Sequence, residues 1–110
     1  MLNPGDLVTV DFPGVTGLKR RPAVVVSSHD YHGLRPDVIV AIVTSQISDA
    51  TTAMDYILQD WSREGLRRPS AFRAFLVTLP ARSATPIGRC SDRAWKEIRD
   101  RLARAIAITS

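Results

Sequence analysis

Gly5-Asp6-Leu7-Val8-Thr9-Val10-Asp11-Phe12 is followed, after a short loop, by Lys19-Arg20-Arg21-Pro22-Ala23-Val24-Val25-Val26-Ser27. The two stretches read as apolar strands joined by a basic hairpin. Valine, threonine and phenylalanine favour the pleated, half-buried surface of a sheet, and Pro13, Gly14 and Gly17 interrupt the run where the chain must turn. Pro22 has no N–H to give to a ladder, so it suits the first residue of a strand and stiffens the backbone just after Arg21. Arg21 therefore stands at a strand entrance, where a guanidinium on a stiffened stem suits phosphate.

Outward from this hairpin, Asp37-Val38-Ile39-Val40-Ala41-Ile42-Val43-Thr44 is a nearly continuous apolar run, too short and too β-branched for a helix. It predicts a central strand buried on both faces. Met54 to Leu58 alternates less cleanly and predicts a fourth strand, with a helical turn from Gln59 to Gly65, and Ser70 to Thr78 predicts a fifth. Short strands with polar breaks suggest a small, strongly bent antiparallel barrel. The period then changes. Trp95, Ile98, Leu102 and Ile106 follow helical spacing, while Arg93, Lys96, Arg99, Asp100 and Arg104 take the other faces. Ser91 can cap the free amides and Asp92 suits the positive helix end, which predicts an amphipathic helix from Asp92 to about Ala107, docked on the barrel. The class is mainly β with a helical component.

The chain has 110 residues, and no repeat or linker divides it, so a single domain over residues 1–110 is expected. Neither a long apolar span nor a charged-then-apolar leader is visible, which points to a cytoplasmic protein with no membrane partner. Cys90 is the only cysteine, and no Cys or His cluster has metal spacing, so neither a metal nor another cofactor is expected. The net charge is +4, carried by 13 Arg against 2 Lys. That balance favours an anionic partner, because arginine's planar fork binds phosphate bidentately and stacks on bases. The arginine excess is equally compatible with a GC-rich genome.

Several side chains admit two readings. Arg73 sits inside Ala71-Phe72-Arg73-Ala74-Phe75-Leu76, where a charge is costly unless it is paired with an aspartate or faces a groove. His29 and His32 flank a loop after the second strand and have a suitable pKa for proton transfer, but nothing in the spacing orients them toward Arg21. Cys90 and Trp95 adjoin the helix's apolar stripe and read as core. Trp61 either stacks a base or staples its turn to the barrel, and Arg63, Arg67 and Arg68 form either a solvated face or a basic groove wall.

Gly5-Asp6, Asp11-Phe12 and Arg21-Pro22 together resemble the opening of the MazF/PemK family of toxin endoribonucleases. Val40-Ala41-Ile42-Val43-Thr44-Ser45 is similar to that family's strand ending in Thr-Ser, Arg68-Pro69-Ser70-Ala71-Phe72-Arg73 to its Lys-Pro-Ser strand leading to an arginine, and Ile87-Gly88-Arg89-Cys90-Ser91-Asp92 to the segment before its last helix. The resemblance covers nearly the whole chain. It implies a small SH3-like antiparallel β-barrel with a C-terminal amphipathic helix, the MazF/CcdB-like toxin fold. It also implies a metal-independent endoribonuclease, the toxin of a type II toxin–antitoxin pair, which cuts single-stranded RNA by 2′-OH attack to leave 2′,3′-cyclic phosphate and 5′-OH ends.

By the same resemblance Arg21 and Thr44 are the catalytic candidates. Lys19, Arg20, Ser45, Gln46, Arg67, Arg68, Ser70 and Arg73 are the RNA-binding candidates. The implied partners are single-stranded RNA, a second copy of the chain, and an antitoxin with an acidic, disordered tail. Some relatives carry an aspartate two residues beyond the arginine of the fifth strand, and here that position is Phe75, so the general base is not identified. Two alternatives share the fold: a topoisomerase-poisoning toxin, which would end its last helix in an aromatic residue that Ala105 to Ser110 lacks, and a catalytically degenerate nucleic-acid-binding barrel.

Overall fold

In the computed structural model, which describes residues 1–14 and 17–108, the opening hairpin forms β1 (Asp6–Gly14) and β2 (Gly17–Val25). They pair antiparallel from Leu7 opposite Val24 to Gly14 opposite Gly17, so β1 runs on through Pro13 rather than ending before it. β2 starts at Gly17, which sets Arg21 and Pro22 inside the strand and not at its entrance; the edge of Pro22 that lacks an N–H has no strand partner. The hairpin tip and the last two residues of the chain's terminal segment lie outside the described residues. A short helix α1 (His29–Leu34) follows, then β3 (Asp37–Thr44), β4 (Tyr56–Ile57), β5 (Ala71–Pro80), β6 (Thr85–Arg89) and the terminal helix α2 (Asp92–Ala105). All strand pairings are antiparallel, in the order β4-β5-β3-β2-β1-β6.

The histidines expected in a loop are on α1, which Ser28 starts by accepting from the Tyr31 amide and which stops before Pro36. β4 is shorter than the predicted Met54 to Leu58, because the Asp55 carboxylate closes a turn on the Thr52 amide and hydroxyl. Residues 59–65 form consecutive turns without a helix. The terminal helix stops at Ala105; Ile106 is extended and 39% exposed, outside the buried stripe.

The sheet separates two apolar clusters. On one face Leu7, Val24, Ala41, Val43 and Phe72 pack with Ala94 and Ile98 of α2, and with Trp61 and Trp95 at the margin. On the other, Val8, Val10, Ala23, Val25, Val38, Val40 and Ile42 form a second cluster. β3 contributes to both, as a central strand must. The far face is concave. β1 and β5 are separated by two strands, about 14 Å apart in a flat sheet at normal spacing, yet the Phe12 and Phe75 rings meet across it with centroids 5.4 Å apart. The sheet is curled into a half-barrel.

Helix α2 is held at its N-terminus by two carboxylates, Glu64 on the Ser91 amide and Asp60 as the hub. Asp60 is 7% exposed and accepts from Arg93 Nε and Nη2 at 2.8 and 2.9 Å, from the Ser91 hydroxyl at 2.6 Å and from Arg63 at 3.0 Å. These donors, Arg93 first, hold its carboxyl far below the ordinary carboxylate value of 3.8. A group depressed in this way contributes stability that is present above its unfolded pKa and is lost as the pH falls through and below that value. Urea-unfolding midpoints should therefore decline once the pH drops below about 4. Asp60→Asn should lower the midpoint at neutral pH and decline less steeply in acid; parallel pH profiles for the two proteins would count against Asp60 as the hub.

Two glycines let the 59–65 turns seat against β6. A Cβ at Gly88 would lie 1.9 Å from the Glu64 carbonyl oxygen, and one at Gly65, whose φ is +100°, would lie 2.4 Å from the Ile87 carbonyl oxygen. Only hydrogen fits between these backbones. The close approach aims the chain that follows, Leu66 to Ser70, alongside β2 and β3.

Candidate functional site

β2 pairs with β3 only from Ala23 opposite Ile42 to Val25 opposite Val40. The first half of β2 therefore keeps one edge free of a strand partner, and a groove of about 720 Å³ opens there. Its lining includes Lys19, Arg20, Arg21 and Pro22 from β2, Ser45 and Gln46 just beyond β3, and Arg67, Arg68 and Ser70 from the segment seated by Gly65 and Gly88. Thr9, Val43, Gly65, Leu66 and Ile87 complete it.

Eight of the ten candidate site residues line this groove; Thr44 and Arg73 do not. Arg21 lies two residues before the last β2–β3 pair, Ala23 opposite Ile42, and Thr44 two residues beyond it, and the period-two alternation sets both on the concave face with Val40 and Ile42. Thr44 is 9% exposed, and its hydroxyl accepts from the Gln46 amide at 3.0 Å, which leaves the hydroxyl proton free to donate. Arg73 is exposed on β5 and shares the concave face with Phe75, Val77 and Leu79 by the same alternation. The structural ion pair that would explain a charge in this strand is not made among the described residues.

The arginines sort into two groups. Arg35, Arg63, Arg89, Arg93 and Arg101 pair with acids that tie the fold together. Arg99 lies over the Trp95 ring at 5.6 Å. Among the described residues Lys19, Arg21, Arg67, Arg68 and Arg73 have no acidic partner and gather at the end of the sheet where β1, β2, β3 and β5 meet, whereas Arg82, beyond β5, and Arg104, on α2, lack one singly. Arg20 is intermediate, pairing with Asp11 at 3.2 Å and donating to the Thr85 hydroxyl. Uncompensated positive charge gathered in a concavity raises the local concentration of anions. No carboxylate or imidazole lines the groove among the described residues.

Other candidates fall away from it or are used structurally. His32 meets the buried Ser27 hydroxyl, which accepts from the Ile39 amide, and His29 meets Asn3. Both are at the opposite end of β3 from Thr44, about 16 Å along the strand for the five residues from Ile39. Ser70 is 2% exposed and donates to the Arg68 carbonyl, so its hydroxyl is spent on shaping the segment. Arg63 leaves the basic cluster for Asp60, and Trp61 packs on the helix-side core as a staple. Burial pushes the Cys90 thiol up to about 12, leaving it an inert core residue. Sequence reasoning missed Thr9 and Ile87 in the lining and Thr85 as the anchor of Arg20; their only signal is register, which is set by strands remote in sequence.

Comparison with known proteins supports the architecture. Over 100% of its length the chain matches 99% of an endoribonuclease solved in complex with its cognate antitoxin from Mycobacterial species, with a TM-score of 0.82 and 17% identity. It matches the MazE-MazF complex from Deinococcus radiodurans with a TM-score of 0.72 and 22% identity over 98% of this chain and 97% of that one. The Mycobacterium tuberculosis toxin MazF-mt6 matches with a TM-score of 0.75 and 16% identity over 96% and 99% of the two chains. No curated protein matches the sequence. The family model for the PemK-like, MazF-like toxin of type II toxin–antitoxin systems matches residues 3–106. With the curled six-stranded sheet, the terminal helix and the motif order all in agreement, the chain belongs to the PemK-like, MazF-like family of type II toxin–antitoxin toxins.

Proposed function

We propose that the protein is a single-domain toxin over residues 1–110 that cuts single-stranded RNA in the cytoplasm without a metal ion. The observation that carries this reading is Arg21, free of any acid among the described residues, lining one groove together with Arg67 and Arg68. No helix among the described residues is long and apolar enough to cross a membrane.

The RNA supplies its own nucleophile. The 2′-OH attacks the adjacent phosphorus, negative charge grows on the non-bridging oxygens, and the 5′-oxygen leaves with a proton, giving a 2′,3′-cyclic phosphate and a 5′-OH. Arg21 binds the growing charge and protonates the leaving oxygen; Thr44 adds a hydrogen bond. Lys19, Arg20, Arg67, Arg68 and Arg73 hold the flanking phosphates, and Ser45 and Gln46 offer donors and acceptors to a base. Arginine is a poor proton acceptor at neutral pH. With no acid or imidazole among the described lining, the proton from the 2′-OH passes to solvent or to a residue of a second copy. A gel of the purified protein with labelled RNA, with and without EDTA, tests the reading: cleavage products that survive EDTA support it, and intact RNA in both lanes removes it in favour of a binding-only barrel.

The proposed assembly is a homodimer, since Leu18 and Leu76 remain exposed on a small protein. Light scattering that gives a monomer mass at micromolar concentration would refute it. The proposed antitoxin presents an acidic segment that folds into the same groove. A short RNA with an uncleavable 2′-deoxy linkage should displace a labelled peptide of that segment, and simultaneous binding of both would refute the shared site.

Phosphate contacts release counterions, so the double reversal Arg67→Glu and Arg68→Glu should weaken RNA binding and reduce the salt slope by about 1.4 for two lost contacts to a single strand. Fluorescence anisotropy across a salt series measures both; an unchanged slope would place these arginines outside the path of the backbone.

A further inference from the structure

Phe75 is an anomaly on the concave face. It is 50% exposed, although the face beneath it is apolar, and its only aromatic neighbour among the described residues, the partly buried Phe12, meets it nearly perpendicular at 78°. An edge-to-face contact fixes two rings relative to each other while using only part of their surfaces. The open aromatic surface here is that of Phe75. Cations surround the pair: Lys19 is the direct cross-strand partner of Phe12, Arg21 is two residues further along the same face of β2, and Arg73 precedes Phe75 by two residues on β5. Among the described residues none of these three has an acidic partner.

We propose that Phe75, braced by Phe12, is a stacking platform for one nucleobase of the RNA strand, which makes it a substrate-positioning residue beside the reacting phosphate. The proposal rests on the ribonuclease reading above. A held aromatic ring flanked by backbone-binding cations is the arrangement that grips single-stranded nucleic acid without base pairing, since every base has a π face and every nucleotide a phosphate. Charge decides against the other occupant of an exposed ring, a second copy of the chain. A two-fold contact over Phe75 would bring Lys19, Arg21 and Arg73 of each copy face to face. Asp11, the acid nearest in β1, is already held by Arg20. A polyanion compensates these charges.

The experiment uses the full chain, a short random-sequence 2′-O-methyl RNA that cannot be cleaved, fluorescence anisotropy across a salt series, and light scattering. Phe75→Ala and Phe75→Leu should each weaken RNA binding about tenfold, because leucine keeps the apolar bulk but has no ring to stack. The salt slope should stay unchanged, since no phosphate contact is lost. Phe75→Trp should keep the affinity and show indole quenching when RNA binds, and the mass of the assembly should be the same for all four proteins. Affinity of Phe75→Ala within about threefold of wild type would overturn the platform while leaving the ribonuclease reading intact, as would a change of assembly mass, which would mean that a second copy covers the ring. Wild-type protein that binds no RNA would remove the ribonuclease reading itself, and the platform with it.

Discussion

Arg21→Ala is expected to lower RNA cleavage by about a hundredfold to a thousandfold, the cost of removing one preorganised donor worth about 3 kcal/mol from the charge that develops in the transition state. The fold should not change. Arg21 is partly exposed in the middle of β2 and makes no ion pair or side-chain hydrogen bond among the described residues, so its truncation breaks no structural network. The melting temperature should match wild type. Arg21→Lys keeps the charge but loses the planar fork, so it should recover only part of the rate. Single-turnover cleavage measured with a melting curve separates the possibilities. Activity retained within about threefold, a difference of less than 1 kcal/mol, would remove Arg21 from the mechanism, and a lowered melting temperature would reassign it to structure.

Gly88→Ala is expected to have the largest effect on stability of any single methyl addition. The new Cβ would meet the Glu64 carbonyl at 1.9 Å, backbone against backbone, with no flexible side chain to give way. Overpacking of this kind costs about 1–3 kcal/mol, and more where both partners are main chain. The clash would push the 59–65 turns off β6. Glu64, which accepts from the Ser91 amide at 2.6 Å, and Asp60, which accepts from the Ser91 hydroxyl, would both lose their positions, so helix α2 would loosen at its start. Arg67 and Arg68 follow directly and would leave the groove wall. Stability and RNA affinity should therefore fall together, although residue 88 carries no side chain. Gly33→Ala is the control. A Cβ there meets nothing within 4 Å, and Gly33 lies in α1, where alanine should stabilise by about 0.5–1 kcal/mol. Equal unfolding midpoints for Gly88→Ala and wild type would show that the turns can move away from β6 without cost.

The sequence by itself determined the elements whose signal is local. Alternation and β-branching marked β1, β2, β3 and β5, and helical spacing behind Ser91 marked α2, because burial of one face writes a period into the residues that form it. Motif order pointed to the family, and Arg21 was conspicuous before Pro22, although β2 begins at Gly17 and both residues lie within it. The tertiary structure decided what depends on partners far along the chain. β6 was not legible, since Pro86 and Gly88 erase its strand signal; it forms as an edge strand on β1, where a missing amide is tolerated. Nor could local pattern say which arginines are free. Arg63 and Arg93 are consumed by Asp60, and although Arg63 is only three residues from it, Arg93 is remote in sequence, whereas Arg67 and Arg68, close neighbours of Arg63, face the groove. The gathering of Arg21 with Arg67 and Arg68 in one groove and the meeting of Phe12 with Phe75 come from register and curl. Both are properties of the whole sheet, set by which strands pair and how far they twist, and no stretch of the chain carries them alone.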